Sequence, residues 1–311
     1  MALHPQAKAF LAGFQASGAP PLHELAPGEA RAATGTITEL IGAGPPVATV
    51  EDFTIATTAG EIGARRYEPD DALGTILWIH GGGWVICDLE THDAVCRILA
   101  ESSGCRVIAV DYRRAPEHPF PAPLEDCWDA LGAVAAERGG DPLIIAGDSA
   151  GGNMSAVCAL RARDRGGPEL ALQLLVCPVV DHDMANASYR EHGSGPDLFL
   201  TVEDMVWFWN HYVPDVSARS APDASPLRAE DVSNLPPAIV ITAEYDPLRD
   251  EGIAYAQRLE AAGVPVTHRH HDDMFHDFFS FVNLIEPGNE AVERAGGEIR
   301  ALVARLSAAS S

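Results

Sequence analysis

Apolar runs and amphipathic segments alternate along most of the chain. Two stretches in which apolar and polar residues alternate, 50–57 and 61–67, predict a hairpin that turns at Ala59 and Gly60. Continuous apolar runs then predict strands over 74–80, 105–112, 142–148, 170–178, 237–245 and 264–270. Helical patterns lie between or after these runs, over 91–103, 122–138, 150–164, 249–262 and 287–307. Because continuous apolar strands are buried on both faces, this order predicts an α/β fold with a mostly parallel central sheet flanked by helices.

Two segments do not follow this alternation. Residues 1–45 hold one or two helical patterns before the first strand, and residues 182–222 are too long for a simple crossover between two strands. The second segment contains a helical pattern near 201–212, with the apolar residues Met205, Val206, Phe208, Trp209 and Tyr212. An insert of this size above the carboxyl ends of a parallel sheet is where a lid would lie, although an ordinary extra helix packed on the core is the alternative. We therefore expect one domain over 1–311, with a helical cap of about 1–45 and 182–222 on a catalytic core of about 46–181 and 223–311.

The composition favours a protein with a sizeable core and no membrane span. Hydrophobic residues make up 47% of the chain. No apolar run reaches the roughly 18 residues that a membrane-spanning helix needs. The N-terminus has one lysine and an early proline, and Phe10, Leu11 and Phe14 share one side of the predicted helix. This pattern predicts an amphipathic helix and not a signal peptide, so we expect a cytoplasmic protein.

Charge and cysteine spacing argue against several classes of partner. The chain has 21 basic and 45 acidic residues, which gives a net charge of −24. Nucleic acids and anionic membrane surfaces both need positive potential, so neither is an expected partner. The six cysteines form no C-x-x-C pair and mostly lie inside apolar or helical patterns. They predict free buried thiols instead of disulfides or a zinc site, and we expect neither a metal nor an organic cofactor.

The sequence Gly147-Asp148-Ser149-Ala150-Gly151 stands between a predicted strand and a predicted helix. A G-x-S-x-G pattern places the serine on a tight strand-to-helix turn, where the two glycines relieve crowding. The amide of the residue after the serine then faces the oxyanion that develops during attack. The five-residue pattern is weak by itself, but its position between a strand and a helix predicts that Ser149 is a nucleophile.

A glycine-rich segment, "HGGGW" at residues 80–84, directly follows another predicted strand. Three glycines at a strand end can form a simple flexible turn. They also allow backbone amides to approach a substrate carbonyl without obstruction by side chains, as in the oxyanion holes of esterases. The two glycine-rich motifs occur in the order that such a site requires, so together they indicate acyl-transfer chemistry.

Four acidic residues lie at or after the end of the predicted strand over 237–245 and are candidates for the acid of a triad. Asp246 is the best of them, because it lies at the strand exit and Pro247 ends the strand immediately after it. Asp250 and Glu251 are expected in the first turn of the next helix, where carboxylates interact favourably with the helix dipole. Glu244 lies within the end of the strand and is expected to point away.

The stretch "VTHRHHDDMFHDFFS", residues 266–280, contains four candidate base histidines. In a strand, His268 and His270 share one face and His271 lies on the other, so all three point sideways from the sheet. The base must instead lie over the carboxyl edge, within about 2.6–3.2 Å of the serine hydroxyl. His276 follows in the predicted loop and can reach that position, with His271 as the alternative. The remaining histidines are expected to cover an exposed outer strand.

The combination of motifs resembles the hormone-sensitive-lipase-like esterases, family IV of the α/β-hydrolases. The shared segments are "HGGGW", "DYRRAPEHPFPAPLEDC" (111–127), "GDSAGGN", "DPLRDEG" and the terminal histidine loop. The resemblance implies a capped α/β-hydrolase fold and hydrolysis of short- to medium-chain carboxylic esters. It also implies structural support of the site by the segment that begins "DYRRAPE", and it allows a homodimer through the last strand.

Carried over by position, the resemblance assigns the site residues. Ser149 would be the nucleophile, Asp246 the acid and His276 the base. The amides of Gly82, Gly83 and Ala150 would form the oxyanion hole, while Gly81 serves mainly the turn. Trp84 and Trp209 are candidate substrate contacts.

Three residues depart from the family pattern. Relatives usually carry glycine where this chain has Asp273, Asp277 and Cys87. The two carboxylates are expected to favour the imidazolium form of His276 and so to raise its pKa. Cys87 is expected to alter the acyl or alcohol side of the pocket.

Other reactions use the same triad. The alternatives to ester hydrolysis are acyl transfer to an alcohol and cleavage of an amide or a lactone. A non-catalytic binder of small molecules is a further alternative, but the serine, acid and histidine that it would have lost are all present.

Overall fold

The computed structural model of the protein describes residues 2–195 and 198–310. Within them, eight strands form one sheet in the order β1-β2-β4-β3-β5-β6-β7-β8. The strands β1 and β2 form the predicted hairpin, β2 also pairs antiparallel with β4, and the other neighbours are parallel. The bounds are β1 Thr49–Thr57, β2 Gly60–Glu68, β3 Thr75–Ile79, β4 Arg106–Asp111, β5 Leu143–Asp148, β6 Leu172–Val176, β7 Ala238–Tyr245 and β8 Val266–Phe275.

Nine α-helices accompany the sheet in the described part of the chain. They are α1 Pro5–Ala16, α2 Pro27–Ile41, α3 Asp93–Ser103, α4 Ala122–Glu137, α5 Ser149–Asp164, α6 Ala187–His192, α7 Val202–Tyr212, α8 Arg249–Ala261 and α9 Glu286–Ser310. The central strands β3, β5 and β6 are buried along their whole length. Two large apolar clusters contain side chains of the sheet and of the helices that cover it. The predicted α/β architecture is therefore confirmed.

The last strand is longer than its sequence pattern predicts. We expected β8 to end near residue 270 and a loop to follow, but the strand continues to Phe275. The pairing with β7 shifts between Ala243, which faces His271, and Tyr245, which faces Phe275. Two residues of β7 therefore span the same length as four residues of β8. A bulge of this kind breaks the alternation of side chains, and the polar residues within it read as a loop.

The segment 182–222 packs on the core through aromatic side chains. Trp209 and Tyr212 of α7 are fully buried, and the Tyr212 ring stacks on Trp84 with the ring centroids 4.2 Å apart. The N-terminal segment contacts the end of β8, where the Phe10 ring of α1 stacks on the Phe275 ring with the centroids 5.6 Å apart. The two segments also touch each other, because His23 Nδ1 lies 2.8 Å from Asp204 Oδ1 of α7.

Two general features of the chain bear on its chemistry. The six cysteines are free thiols, and five of them are buried. Among the described residues, no helix combines the length and the apolar character that crossing a bilayer requires.

Candidate active site

Ser149 stands on a sharp turn between β5 and α5. Its backbone has φ +51°, in the left-handed region that residues with a side chain rarely adopt. The glycines on either side are required by close backbone contacts. A Cβ at Gly147 would lie 2.5 Å from the carbonyl oxygen of Ile79, and a Cβ at Gly151 would lie 1.9 Å from the same atom. The turn therefore needs glycine two residues before and two residues after the serine.

The three side chains predicted to form a triad lie in one hydrogen-bonded row. The Oγ atom of Ser149 is 3.1 Å from Nε2 of His276, and Nδ1 of His276 is 2.9 Å from Oδ2 of Asp246. All three residues are buried. The residues come from three separate loops at the carboxyl ends of β5, β7 and β8. This edge of a parallel sheet is where its ligands bind.

The carboxyl group of Asp246 is held from both sides. Its Oδ1 atom accepts a hydrogen bond of 2.8 Å from the amide of Leu248, while Oδ2 faces His276. The Sγ atom of Cys177, at the end of β6, is within 4.8 Å of the facing atoms of both residues. Burial raises the pKa of the Cys177 thiol well above its usual value, and the Asp246 carboxylate raises it further. Cys177 is therefore a neutral thiol beside the acid.

The backbone amides of the glycine-rich segment fall into two groups: one is hydrogen-bonded within the described part of the protein, and two are not. The amide of Gly81 donates to Oδ1 of Asp148 at 3.0 Å, so it is committed to the turn. The amides of Gly82 and Gly83 have no acceptor within the described residues. Both glycines have positive φ, +98° and +55°, which suits glycine best. The two amides therefore stay available beside the nucleophile turn.

Residues 111–117 hold this glycine-rich loop in place. The hydroxyl of Tyr112 donates to the carbonyl of His80 at 2.9 Å, and the His80 ring stacks on the Tyr112 ring at 4.3 Å. The amide of Ala115 donates to the carbonyl of Trp84 at 3.0 Å. Burial lowers the pKa of His80 to about 3, so this imidazole is neutral. These contacts match the supporting role predicted for the segment that begins "DYRRAPE".

The two tryptophans predicted to contact substrate are fully buried. Trp84 and Trp209 lie 5.0 Å apart between ring centroids and are each 0% exposed. They pack α7 onto the glycine-rich loop. The aromatic residue of α7 that lies directly on this loop is Phe208, whose ring atoms would be 2.1–2.3 Å from a Cβ placed at Gly83. A substrate contact by either tryptophan stays a prediction.

The other acids and histidines lie where the sequence suggested. His268 and His270 both contact Oγ1 of Thr242, at 2.8 and 3.0 Å, on the sheet face of the edge strand β8. Glu244 pairs with Arg249 at 2.7 Å and so points away from His276. Glu251 lies in the first turn of α8, as predicted, and it is also buried. It is 3% exposed and accepts hydrogen bonds from the amides of Val180 and Asp181, at 2.8 and 3.2 Å.

Two of the three departures from the family pattern occupy left-handed backbone positions. Asp277 has φ +60° and Cys87 has φ +65°, where a glycine would be unstrained. Burial opposes protonation of His276, but the carboxylates of Asp246, Asp277 and Asp148 together raise its pKa above the usual value. Asp273 acts instead on His271. The expected effect on His276 therefore comes from Asp277 and not from Asp273.

Sequence reasoning missed two buried residues behind the site. Oδ2 of Asp148 lies 3.2 Å from Nε2 of His92, and both residues are buried. Nδ1 of His92 lies 2.8 Å from Oγ1 of Thr91. Asp148 directly precedes Ser149, so its position beside the nucleophile could have been inferred from the turn. His92 gave no such signal, because it lies 57 residues earlier at the start of α3.

Comparison with known proteins agrees with this geometry. A family model described as the alpha/beta hydrolase fold matches residues 76–280. The chain is 44% identical over 245 residues to carboxylesterase NlhH of Mycobacterium tuberculosis, covering 75% of this chain and 76% of the relative. It is 35% identical over 311 residues to the ethyl acetate hydrolase of Pseudomonas putida, covering 94% and 96% of the two chains.

A solved structure gives the same result in three dimensions. The hyperthermophilic esterase from the archaeon Pyrobaculum calidifontis is 40% identical and superposes with a TM-score of 0.92, over 97% of this chain and 99% of that one. The likeness thus extends over the helices outside the family match as well as over the sheet. The chain belongs to the hormone-sensitive-lipase-like carboxylesterases, family IV of the α/β-hydrolase superfamily.

Proposed function

We propose that this protein is a carboxylesterase that hydrolyses short- to medium-chain carboxylic esters, with Ser149 as nucleophile, His276 as base and Asp246 as acid. The observation that supports these roles most directly is the hydrogen-bonded row from Ser149 Oγ to His276 Nε2 and from His276 Nδ1 to Asp246 Oδ2, at 3.1 and 2.9 Å. The name of the Pseudomonas putida relative, an ethyl acetate hydrolase, supports a small acyl group.

The proposed reaction is an acyl transfer in two halves. His276 Nε2 takes the proton of the Ser149 hydroxyl as Oγ attacks the ester carbonyl, while Asp246 holds the Nδ1–H tautomer. The protonated His276 then gives its proton to the departing alkoxide, and an acyl-enzyme remains. Water attacks the acyl-enzyme by the same route and releases the acid. Every step uses side chains and backbone amides of this chain.

The oxyanion of each tetrahedral intermediate would be held by backbone amides. Gly82 and Gly83 offer two free amides on one side, and Ala150 offers a third at the start of α5. Each preorganised donor of this type is worth about 10²–10³ in rate, roughly 3–4 kcal/mol. The lack of an acceptor for the Gly82 and Gly83 amides among the described residues supports this role.

We also propose that residues 1–45 and 182–222 form a cap over the site. The position of Phe208 against Gly83 supports this assignment for the second segment. For the first segment, the support is the packing of the Phe10 ring on Phe275 and Phe281, with ring centroids 5.6 and 4.6 Å from that of Phe10. Phe275 directly precedes His276 in the chain. Cytoplasmic location, the absence of a nucleic-acid partner and a homodimer stay predictions.

The proposal can be tested with p-nitrophenyl esters of increasing acyl length. We expect Ser149→Ala and His276→Ala each to lower kcat/KM by about 10⁴ or more, because residues of a triad act as a unit. His271→Ala is the matched control, because His271 lies in β8, five residues before His276, and its ring packs 4.6 Å from the Phe278 ring, outside the hydrogen-bonded row. An active His276→Ala together with an inactive His271→Ala would refute the assignment of the base.

The same experiment separates ester hydrolysis from its alternatives. An amide, a lactone and an ester assay with a competing alcohol belong in the same series. Faster cleavage of the amide or lactone than of any ester, or transfer of the acyl group to the alcohol in preference to water, would overturn the proposed substrate class while leaving the triad intact.

A further inference from the structure

A second group of polar side chains lies next to the proposed triad, with His92 and Asp148 buried and Asp277 half-buried. The facing atoms of His92, Asp148 and Asp277 all lie within 4.8 Å of one another. The three residues come from three different parts of the site. Asp277 follows the proposed base, Asp148 precedes the proposed nucleophile, and His92 stands at the start of α3. This cluster therefore connects elements whose relative positions matter for the proposed acyl transfer.

Hydrogen bonds connect this cluster to the oxyanion loop. Asp148 uses Oδ1 to accept from the amide of Gly81 at 3.0 Å and Oδ2 to face His92 Nε2 at 3.2 Å. The fit is close, since a Cβ at Gly81 would lie 2.0 Å from Oδ2 of Asp148. On the other side, Oδ1 of Asp277 accepts from the hydroxyl of Ser280 at 3.0 Å. The loop of the base and the loop of the free amides thus meet at one pair of carboxyl groups.

The cluster contains two carboxyl groups and one imidazole, so it has an excess of negative charge when both carboxyl groups are ionised. Two carboxyl groups lie close to the His92 imidazole, and Asp277 also neighbours His276 in the chain. Like charges at such short range, away from water, disfavour full ionisation of both carboxyls. Burial and the Asp148 carboxylate raise the pKa of Asp277 to about 7, while the His276 and His92 rings pull it down. Burial lowers the pKa of His92, but the Asp148 carboxylate more than offsets this and raises it.

We propose that Asp277, Asp148 and His92 form a positioning cluster, which ties the loop of the base to the loop of the oxyanion-hole glycines and sets the pH at which His276 becomes a usable base. The inference rests on the proposed function. Asp277 is the member that this chain has in place of the family's usual glycine. It acts through His276, and Asp148 acts through Gly81, so these are positioning residues and none of them contacts the reacting atoms.

The sign of the effect follows from the charges around His276. An ionised Asp277 stabilises the imidazolium of His276, so it raises the pH below which the base is protonated and inactive. The same charge stabilises the imidazolium that forms in the transition state. The charged and titratable groups that face Asp277 come from several elements, namely Asp148 on the nucleophile turn, His92 at α3, His276 on its own loop, Cys87 after the glycine-rich loop and Cys177 after β6.

The experiment compares pH profiles of kcat/KM for a p-nitrophenyl ester in wild type and Asp277→Asn, which removes the charge and keeps the shape. Asp277, with a pKa of about 7, is only partly ionised where His276 titrates. We therefore expect the acid limb to move to lower pH by about half a unit, half of the roughly one unit that a full neighbouring charge contributes. On the alkaline plateau, kcat should fall about threefold with KM unchanged, because a less basic imidazole is a weaker general base. A purely structural role would change stability without moving the acid limb.

Three further variants make the outcome decisive. Asp277→Gly relaxes the left-handed backbone and should give the same shift, and it replaces Asp277→Asn if that variant does not fold. Asp273→Asn, which removes the other departing acid, is the matched control and should leave the profile unchanged. In a His92→Gln background, removing the Asp277 carboxyl should move the acid limb less than in wild type, because Asp277 without its cation is already protonated.

Three different results would refute, respectively, the role of the cluster, the coupling between Asp277 and His92, and the proposed esterase function. Equal acid limbs in folded wild type and Asp277→Asn, both active, would refute the cluster and leave the esterase proposal standing. Additive shifts of Asp277→Asn and His92→Gln would refute the coupling between the two residues. A wild type without esterase activity that depends on Ser149 would instead refute the proposed function.

Discussion

Gly151→Ala tests whether the contact between α5 and β3 sets the geometry of the active site. Gly151 lies in the first turn of α5, directly against the end of β3. An added Cβ would be 1.9 Å from the carbonyl oxygen of Ile79 and 2.7 Å from that of His80. Ordinary contact begins at 3.4 Å, so α5 and β3 must separate by about 1.5 Å (3.4 − 1.9). The atoms in the way belong to the backbone, so no side-chain rotation can relieve the contact.

This separation would displace both the nucleophile and the oxyanion loop of the proposed site. Helix α5 begins with Ser149, and His80 directly precedes the glycines of the oxyanion loop. Moving these elements apart therefore moves the nucleophile away from the amides that would hold the oxyanion. Displacement by about 1 Å can cost 10²-fold in rate, and forcing extra volume into a packed site costs about 1–3 kcal/mol of stability. We expect kcat/KM to fall by about 10² or more, with a lower unfolding midpoint.

The assay is hydrolysis of a p-nitrophenyl ester at saturating and limiting substrate, with urea unfolding of each variant. Gly132→Ala is the matched control, because Gly132 lies within α4 and an added Cβ would meet nothing within 4 Å. That change should leave activity unaltered and add about 0.5–1 kcal/mol to the free energy of unfolding. A folded Gly151→Ala enzyme with kcat/KM within about threefold of wild type would refute the argument, since the cost of misplacement would then be absent.

Two further changes address the acids of the structure. Asp246→Asn keeps an acceptor for the amide of Leu248 but loses control of the His276 tautomer, so kcat should fall by about 10⁴ with little change in thermal stability; a loss of less than tenfold would contradict the role of Asp246. Burial raises the pKa of Glu251 well above its usual value, so the folded state holds a proton that the unfolded state releases, and stability falls as pH rises above the unfolded pKa. Glu251→Gln should remove this fall in urea titrations carried upward from pH 4.5, the usual pKa of the group, and an unchanged slope would show that Glu251 is not its source.

The sequence was sufficient to predict the fold because its strands are buried on both faces. The runs that became β3, β5 and β6 are mostly apolar and buried along their whole length, and helical patterns follow the first two. Position along the chain then predicted which side chains meet, since Ser149, Asp246 and His276 all follow strands whose carboxyl ends lie along one edge of the sheet. Local pattern and overall topology agree at these three residues.

The sequence could not predict features that depend on contacts between distant segments. The bulge opposite Glu244 lengthens β8, and nothing in the polar run of 271–273 distinguishes it from a loop. Trp84 and Trp209 look like pocket residues from their place beside the glycine-rich motif and in the insert. Their burial results from α7 packing on the loop, which is a tertiary contact. His92 approaches Asp148 for the same reason, because only the tertiary structure brings the start of α3 to the end of β5.

The backbone around the site departs from local preference more often than elsewhere in the described residues. Five of the seven residues there that carry a side chain at positive φ belong to its loops, namely Trp84, Cys87, Ser149, Cys177 and Asp277. Each such conformation costs on the order of 1–3 kcal/mol and persists only where surrounding contacts hold it. Those contacts are the packing of α7 on Trp84, the contact of α5 with β3, and the hydrogen bonds of Asp148 and Asp277. The strain is therefore borne by the loops that hold the reacting groups, while the sheet beneath them follows its sequence pattern. For this reason a sequence reading finds the site through its motifs but misses the contacts that keep those motifs in place.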